Sequence, residues 1–168
     1  MNVKMTDFFK AIFGAHLVST KSYIEIRKIQ FGKPTQILFF SSIEELRKHF
    51  KNCIENNNSL VDTYFGVAPR FKKSGKKDSI KHITCFAIDV DYGSEGHKKP
   101  SPYSNETEAL SAIEGFPIPP SCIVNSGYGF HVYWFLSEPF LVERINMIES
   151  ILIAIGKKLK EDPGTHDI

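Results

Sequence analysis

The feature that most constrains this chain is FAIDVDYG, residues 86–93, taken together with IVNSGYGFHVYWFL, residues 123–136. The first is an apolar run ending in two aspartates one residue apart. The second delivers a histidine, just after a glycine turn, onto another apolar run. Strand side chains alternate faces, so Asp89 and Asp91 project on one side, about 6 to 7 Å apart at about 3.3 Å per residue, and Phe86, Ile88 and Val90 on the other. Such a strand needs an apolar layer behind it, and its acidic face is costly to desolvate without a cation or water.

Periodicity places these strands in an alternating order of elements. Met5, Phe8, Phe9, Ile12 and Phe13 fall at helical spacing, and YIEIRKIQF (23–31) and TQILFF (35–40) form a hairpin about Gly32-Lys33-Pro34. Ser42 and Glu45 make a capping-box pattern for a helix carrying Ile43, Leu46, Phe50 and Ile54, which the Asn56-Asn57-Asn58 run ends. Strands follow at 60–68 and 82–91. Then come a helix from Asn105 to Glu114, strands at SCIVNS and FHVYWFL, and a helix over about 140–160 bearing Ile148, Ile151, Leu152, Ile155 and Leu159. The order α, β-β, α, β, β, α, β-β, α predicts an α+β fold, with flanking helices on a mixed or antiparallel sheet. Strand, helix, hairpin and helix in the second half resemble the split βαβ plan.

With 168 residues, 42% hydrophobic and 24% charged, the chain has the composition of an ordinary globular protein, and one domain is expected. No basic and apolar leader opens it, and no apolar run reaches the roughly 18 residues of a membrane span. A cytoplasmic protein without membrane contact is the expectation. Cys53, Cys85 and Cys122 are odd in number, lack C-x-x-C spacing and read as reduced core thiols, not a structural zinc site. The net charge of +2 is unevenly spread. Residues 70–81 hold Arg70, Lys72, Lys73, Lys76, Lys77 and Lys81 against Asp78 alone, and Lys98 and Lys99 form a second basic spot. Such a run is commonly a solvated loop. Beside an acidic metal site it suits phosphate contact.

Two carboxylates one residue apart on a strand suit Mg²⁺ or Mn²⁺, hard ions that take few protein ligands and keep positions for water and phosphate oxygens. Taken alone, Asp89-Val90-Asp91 before a glycine is equally a strand-end turn. His131 shifts the balance. The two glycines of SGYGFH allow tight backbone geometry, Ser126 adds a hydroxyl, and His131 shares a strand face with Tyr133 and Phe135. A histidine so placed can hold a nucleotide phosphate through its ring N–H.

These residues resemble the archaeo-eukaryotic primase superfamily. The strand ending Asp89-x-Asp91, the Ser126-x-x-Gly129-x-His131 region and a late acidic residue after a helix look like its three motifs. YFGVAPR and GFHVYWFLSEP are similar to bacterial, phage and plasmid primase-polymerases, and SGYGFHVYW resembles CRISPR-associated ones. The likeness covers roughly residues 60–168. It implies an RRM-like catalytic half, two Mg²⁺ or Mn²⁺ ions on Asp89, Asp91 and a third carboxylate, either Asp162 or Asp167 with Asp167 preferred. It implies nucleotide phosphates on Ser126, Gly127, Gly129, His131 and Arg70, and template backbone along Lys72, Lys73, Lys76 and Lys77. Tyr92, Tyr128 or Tyr133 would stack on a base or sense the sugar, with core packing the alternative for Tyr133. The family's arginine-rich strand after the third motif does not follow here, so the expectation is one catalytic domain, residues 1–58 and 59–168 as its two parts, truncated at the C-terminus.

The activity so implied is template-directed nucleotidyl transfer, making and extending primers on single-stranded DNA from nucleoside triphosphates. A helicase or CRISPR-associated proteins are the partners it suggests. Two other readings remain at the level of sequence. A cyclase-like enzyme would use paired aspartates and two metals without a template, and a non-catalytic RRM-like module would bind single strands by aromatic stacking with no use for the aspartates.

Overall fold

Phenylalanines at helical spacing build the first layer of the fold. A computed structural model of the chain describes residues 4–55, 61–95 and 100–160, without the side chains of residues 18–20, 54 and 55. Asp162, Asp167, Lys98 and Lys99 lie outside the described residues. Helix α1, Met5–Thr20, buries Phe9, Ile12, Phe13 and Leu17. It stops at Lys21, whose left-handed φ of 50° closes the helix.

The chain divides into two compact units, Met1–Thr84 and Cys85–Ile168. In the first, β1 (Ile24–Ile29) and β2 (Gln36–Phe40) form the expected antiparallel hairpin, with Ile24 opposite Phe40 and Lys28 opposite Gln36. Helix α2, Ile43–Glu55, is capped by the Ser42 hydroxyl, which accepts from the Glu45 N–H, while the Glu45 carboxylate reaches back to Ser41 rather than to Ser42. Strand β3, Asp62–Phe65, pairs antiparallel with the other edge of β1. That pairing carries Phe65 into an aromatic cluster, 5.2 Å from Phe9 and 5.6 Å from Phe8 between ring centres. It also explains why the unit boundary falls inside strand β4 (His82–Asp91) and not near residue 58: β3 belongs with the hairpin that precedes it.

The second unit contains the rest of β4, helix α3 (Glu106–Glu114), β5 (Cys122–Asn125), β6 (Gly129–Leu141) and helix α4 (Ile145–Lys158). Asn105 caps α3, its side chain accepting from the Glu108 N–H at 3.0 Å. Strands β5 and β6 are antiparallel, Cys122 opposite Tyr133 and Asn125 opposite Phe130, and the sheet order is β4-β6-β5. The fold is thus α+β, and among the described residues the strands form two three-stranded antiparallel sheets instead of one larger sheet. Sequence periodicity marks each strand but not its partner.

Alternation along β4 and β6 sorts the side chains as expected. Phe86, Ile88, Val90, Phe130, Val132 and Trp134 are buried, as are Ala109 and Ile113 of α3 and Ile148, Leu152 and Ile155 of α4. Each large side chain in this core contributes about 1.5–3 kcal/mol relative to exposure. Trp134 donates its ring N–H to the Ile118 carbonyl at 2.9 Å, so its polar edge is also satisfied. Strand β6 runs past Leu136, where the sequence suggested an end, through Pro139. That proline is tolerated because it lies beyond the Phe130–Tyr133 segment that pairs with β5. Helix α4 accordingly starts at Ile145, not near 140.

Candidate active site

The opposite face of the β4-β6-β5 sheet carries Cys85, Ala87, Asp89 and Asp91 on β4 and Gly129, His131, Tyr133 and Phe135 on β6. It is graded in burial. Cys85 and Tyr133 are buried at one end, and Asp89 and His131 stand half open at the other, with 49% and 41% of their side chains exposed. His131 Nε2 lies 3.7 Å from Asp89 Oδ1.

Asp89 has its carboxyl pushed above the ordinary carboxylate range. Burial of part of the group is the largest cause, His131 opposes it, and the neighbouring Asp91 adds to it. Two acidic groups on one strand face, one of them reluctant to ionise, form a donor set that gains from a cation. Both donors are carboxylate oxygens, which fits Mg²⁺ or Mn²⁺. Among the described residues no three His, Cys, Asp or Glu side chains converge as a metal-binding group, and the third carboxylate named from sequence, Asp162 or Asp167, lies outside them.

Gly129 is what brings the two strands together here. A Cβ on it would lie 2.8 Å from Asp91 Oδ1 and 2.8 Å from the Val90 carbonyl oxygen, closer than real Cβ contacts allow. Gly127, at a φ of 102°, makes the turn that precedes it. The turn spends some of its own donors. The Gly127 N–H goes to Asn125 Oδ1 at 2.8 Å and the Ser126 N–H to the Gly129 carbonyl at 2.9 Å. With the Ser126 and Gly127 amides so engaged, the Ser126 hydroxyl and the His131 ring are the side-chain polar groups this turn can offer a ligand.

Of the three tyrosines singled out by sequence, Tyr133 is a core residue. It is 3% exposed, and its phenol is pushed up by burial and then by Cys85, Asp89 and Cys122. Tyr92 leans on Phe130 at 5.4 Å, and Tyr128, at the tip of the turn, is exposed. One positioning residue has no sequence signal. Tyr103 pairs with Tyr92 immediately after β4, accepts from the Gly93 N–H at 2.9 Å and donates its hydroxyl to the Leu159 carbonyl at 3.1 Å. It fixes the end of the acidic strand to the end of α4.

The remaining named residues belong to the first unit. Arg70 is 6% exposed, and its Nε contacts Glu25 Oε2 at 2.6 Å. Its Nη1 donates to the Lys76 carbonyl at 3.3 Å and to Ser79 Oγ at 3.4 Å. That guanidinium is engaged inside its own unit. Lys72, Lys73, Lys76 and Lys77 are exposed, with Lys72 paired to Asp78 at 2.9 Å and Lys73 lying over the Tyr23 ring. All three cysteines are free thiols, but only Cys85 is fully buried, and burial raises its pKa to about 12.

No protein family, no curated protein and no solved structure matches this chain.

Proposed function

We propose that the second unit carries the catalytic site of a template-directed nucleotidyltransferase, a primase-polymerase acting on single-stranded DNA. The observation that carries this reading is the placement of Asp89 and Asp91 on one open strand face, with His131 3.7 Å from Asp89 and Gly129 packed against Asp91. The strand order β4-β6-β5, with helix α3 between β4 and β5 in the chain and α4 after β6, is the order a split βαβ sheet would have, which supports the RRM-like half that the sequence resemblance implies.

Asp89 and Asp91, joined by Asp162 or Asp167, would hold two Mg²⁺ or Mn²⁺ ions, whose chemistry is to neutralise charge on the attacking and leaving oxygens. This chain's own groups bind and orient. His131 donates a ring N–H to a phosphate oxygen of the incoming nucleotide, and Ser126 adds its hydroxyl. The 3′-hydroxyl of a primer or initiating nucleotide attacks the α-phosphorus, and pyrophosphate leaves. Lys72, Lys73, Lys76 and Lys77 supply a sequence-independent, salt-sensitive grip on template phosphates.

The test is primer extension and de novo priming on a single-stranded template with Mg²⁺ or Mn²⁺, comparing ribo- and deoxyribonucleotides. Template-dependent product that disappears in Asp89→Asn is expected. Turnover of nucleotide with no need for template would point to the cyclase-like alternative. Strand binding without any turnover, undiminished in Asp89→Asn, would leave only a single-strand-binding module.

A further inference from the structure

The first unit contains a cavity of about 350 Å³ lined by His16, Lys21, Ser22, Pro69, Phe71, Lys81 and His82. Its volume lies at the lower end of the range for small-molecule sites. Four of these seven residues can carry positive charge, and none of the described lining residues carries a carboxylate. The charge is arranged rather than scattered. His16, on the last turns of α1, is only 8% exposed, and its ring meets that of His82 edge to face at 4.6 Å between centres. Lys81 lies beside it on the chain, with its ammonium 4.3 Å above the Phe71 ring, and Lys21 follows the end of α1. Lys72, 5.6 Å from the Phe71 ring centre, is already paired with Asp78, and Lys73 stands over Tyr23.

We propose that this cavity is a phosphate-binding site, taking a phosphate monoester or diester between the His16 and His82 rings and the Lys21 and Lys81 ammonium groups. Two imidazoles packed edge to face repel one another when charged, and burial together with His82 holds the His16 pKa below its ordinary value. A dianion lying against both rings from the cavity reverses that cost. Lysines serve as mobile point charges, and the imidazole N–H groups as fixed donors, a combination suited to phosphate oxygens. Polar closure is partly built in, since the buried Ser22 hydroxyl is held toward the His16 carbonyl at 3.5 Å. The site is independent of the aspartate face and does not rest on the nucleotidyltransferase reading. The competing explanation is that Lys21 and His16 merely complement the negative end of the α1 dipole.

The experiment is a titration of the full chain with inorganic phosphate, followed by the imidazole proton resonances of His16 and His82, at ionic strength matched with chloride. Phosphate is expected to shift both resonances and chloride neither. Lys81→Gln and Lys21→Asn, both at exposed positions and the second compatible with the left-handed backbone there, are expected to weaken binding roughly tenfold each. Parallel arms with a mononucleoside monophosphate and with a short single strand of thymidylate identify the source of the phosphate: tighter binding of either names it. Absent or chloride-equivalent shifts at His16 and His82, or binding indifferent to both lysine variants, would overturn the proposal in favour of helix-end charge complementation.

Discussion

Glu25 and Asp89 are both carboxylates on strands of three-stranded sheets, each beside a basic side chain, and they are treated in opposite ways. The Glu25 side chain is fully buried between Arg70, at 2.6 Å, and the guanidinium of Arg27, which also reaches the Gly75 carbonyl. Asp89 is half open, and the histidine beside it stands back at 3.7 Å. A carboxylate enclosed by two guanidiniums has its charge answered inside its own unit, so it organises structure. One that is partly desolvated and next to a second carboxylate is held in a condition that a metal ion relieves. The same residue type is an internal ion-pair partner in the first unit and, on the function proposed above, a metal ligand in the second.

The largest expected effect breaks the closed side of this comparison. Glu25→Ala leaves the buried Arg70 guanidinium without its carboxylate and is expected to cost about 3–5 kcal/mol of stability in denaturant unfolding. Asp89→Asn is expected to do the reverse. Template-directed extension should fall about a hundredfold or more, while the unfolding midpoint stays level or rises, because burial already disfavours the charged form of Asp89. A tolerant Glu25→Ala together with an unfolded Asp89→Asn would exchange the two roles and remove the physical basis of the proposed site.

How much of this was legible in the sequence follows the same division. The β4 strand is legible residue for residue at 82–91, and the sequence puts Asp89 with Asp91 and His131 with Tyr133 on shared strand faces as the structure does, because alternation of burial writes a period of two into the residues themselves. The closed network was not legible. IEIRKI alternates like a strand with an outward glutamate, yet Glu25 is buried because Arg70, far along the chain, bridges by its backbone to Tyr23 and brings its guanidinium to that face. Arg70 looks like a phosphate contact in the sequence for the same reason: the sequence shows a cation near a motif but not the carboxylate that already holds it. Likewise the glycines of SGYGFH announced a tight turn, whereas only the geometry reveals that Asn125 takes the Gly127 amide. Pairing between distant strands, side chain to backbone closure and the division into two sheets depend on partners that no local period encodes.

Gly129→Ala tests how finely the open site is built. A Cβ 2.8 Å from Asp91 Oδ1 could be relieved by moving that carboxylate, but the equal approach to the Val90 carbonyl oxygen cannot be relieved without shifting β4 itself. The expected cost is about 1–3 kcal/mol of stability, with a further loss of extension activity beyond what the lost stability explains. Gly127→Ala, strained by its φ of 102° but with open space around the new Cβ, should lower stability while sparing activity more. Equal activity losses in the two variants would show that turn conformation, and not the seating of Asp91, is what the glycines secure.

The smallest expected effect lies in the first unit and concerns protons. Burial, with His82, holds the His16 pKa below 6.5, and burial, with Lys28, does the same for His49. A base whose pKa is depressed on folding takes up its proton more readily when unfolded. Its contribution to stability is present in full above the unfolded value of about 6.5 and declines as pH falls through that value toward the lower folded one. The carboxylates with lowered pKa values, Glu44, Glu45 and Asp78, act in the same direction but at more acid pH, below their ordinary values of 4.5 and 3.8. Asp89, whose carboxyl is raised, acts in the opposite direction, so the measurement is made in Asp89→Asn: unfolding midpoints between about pH 7.5 and pH 5 should then fall gently with acidification, and the slope should shrink on adding His16→Gln and again on adding His49→Gln. An unchanged slope with both histidines replaced would mean that both rings are solvated well enough to titrate as they do in the unfolded chain, and that burial in the closed unit spares its bases the strain it places on Asp89 in the open one.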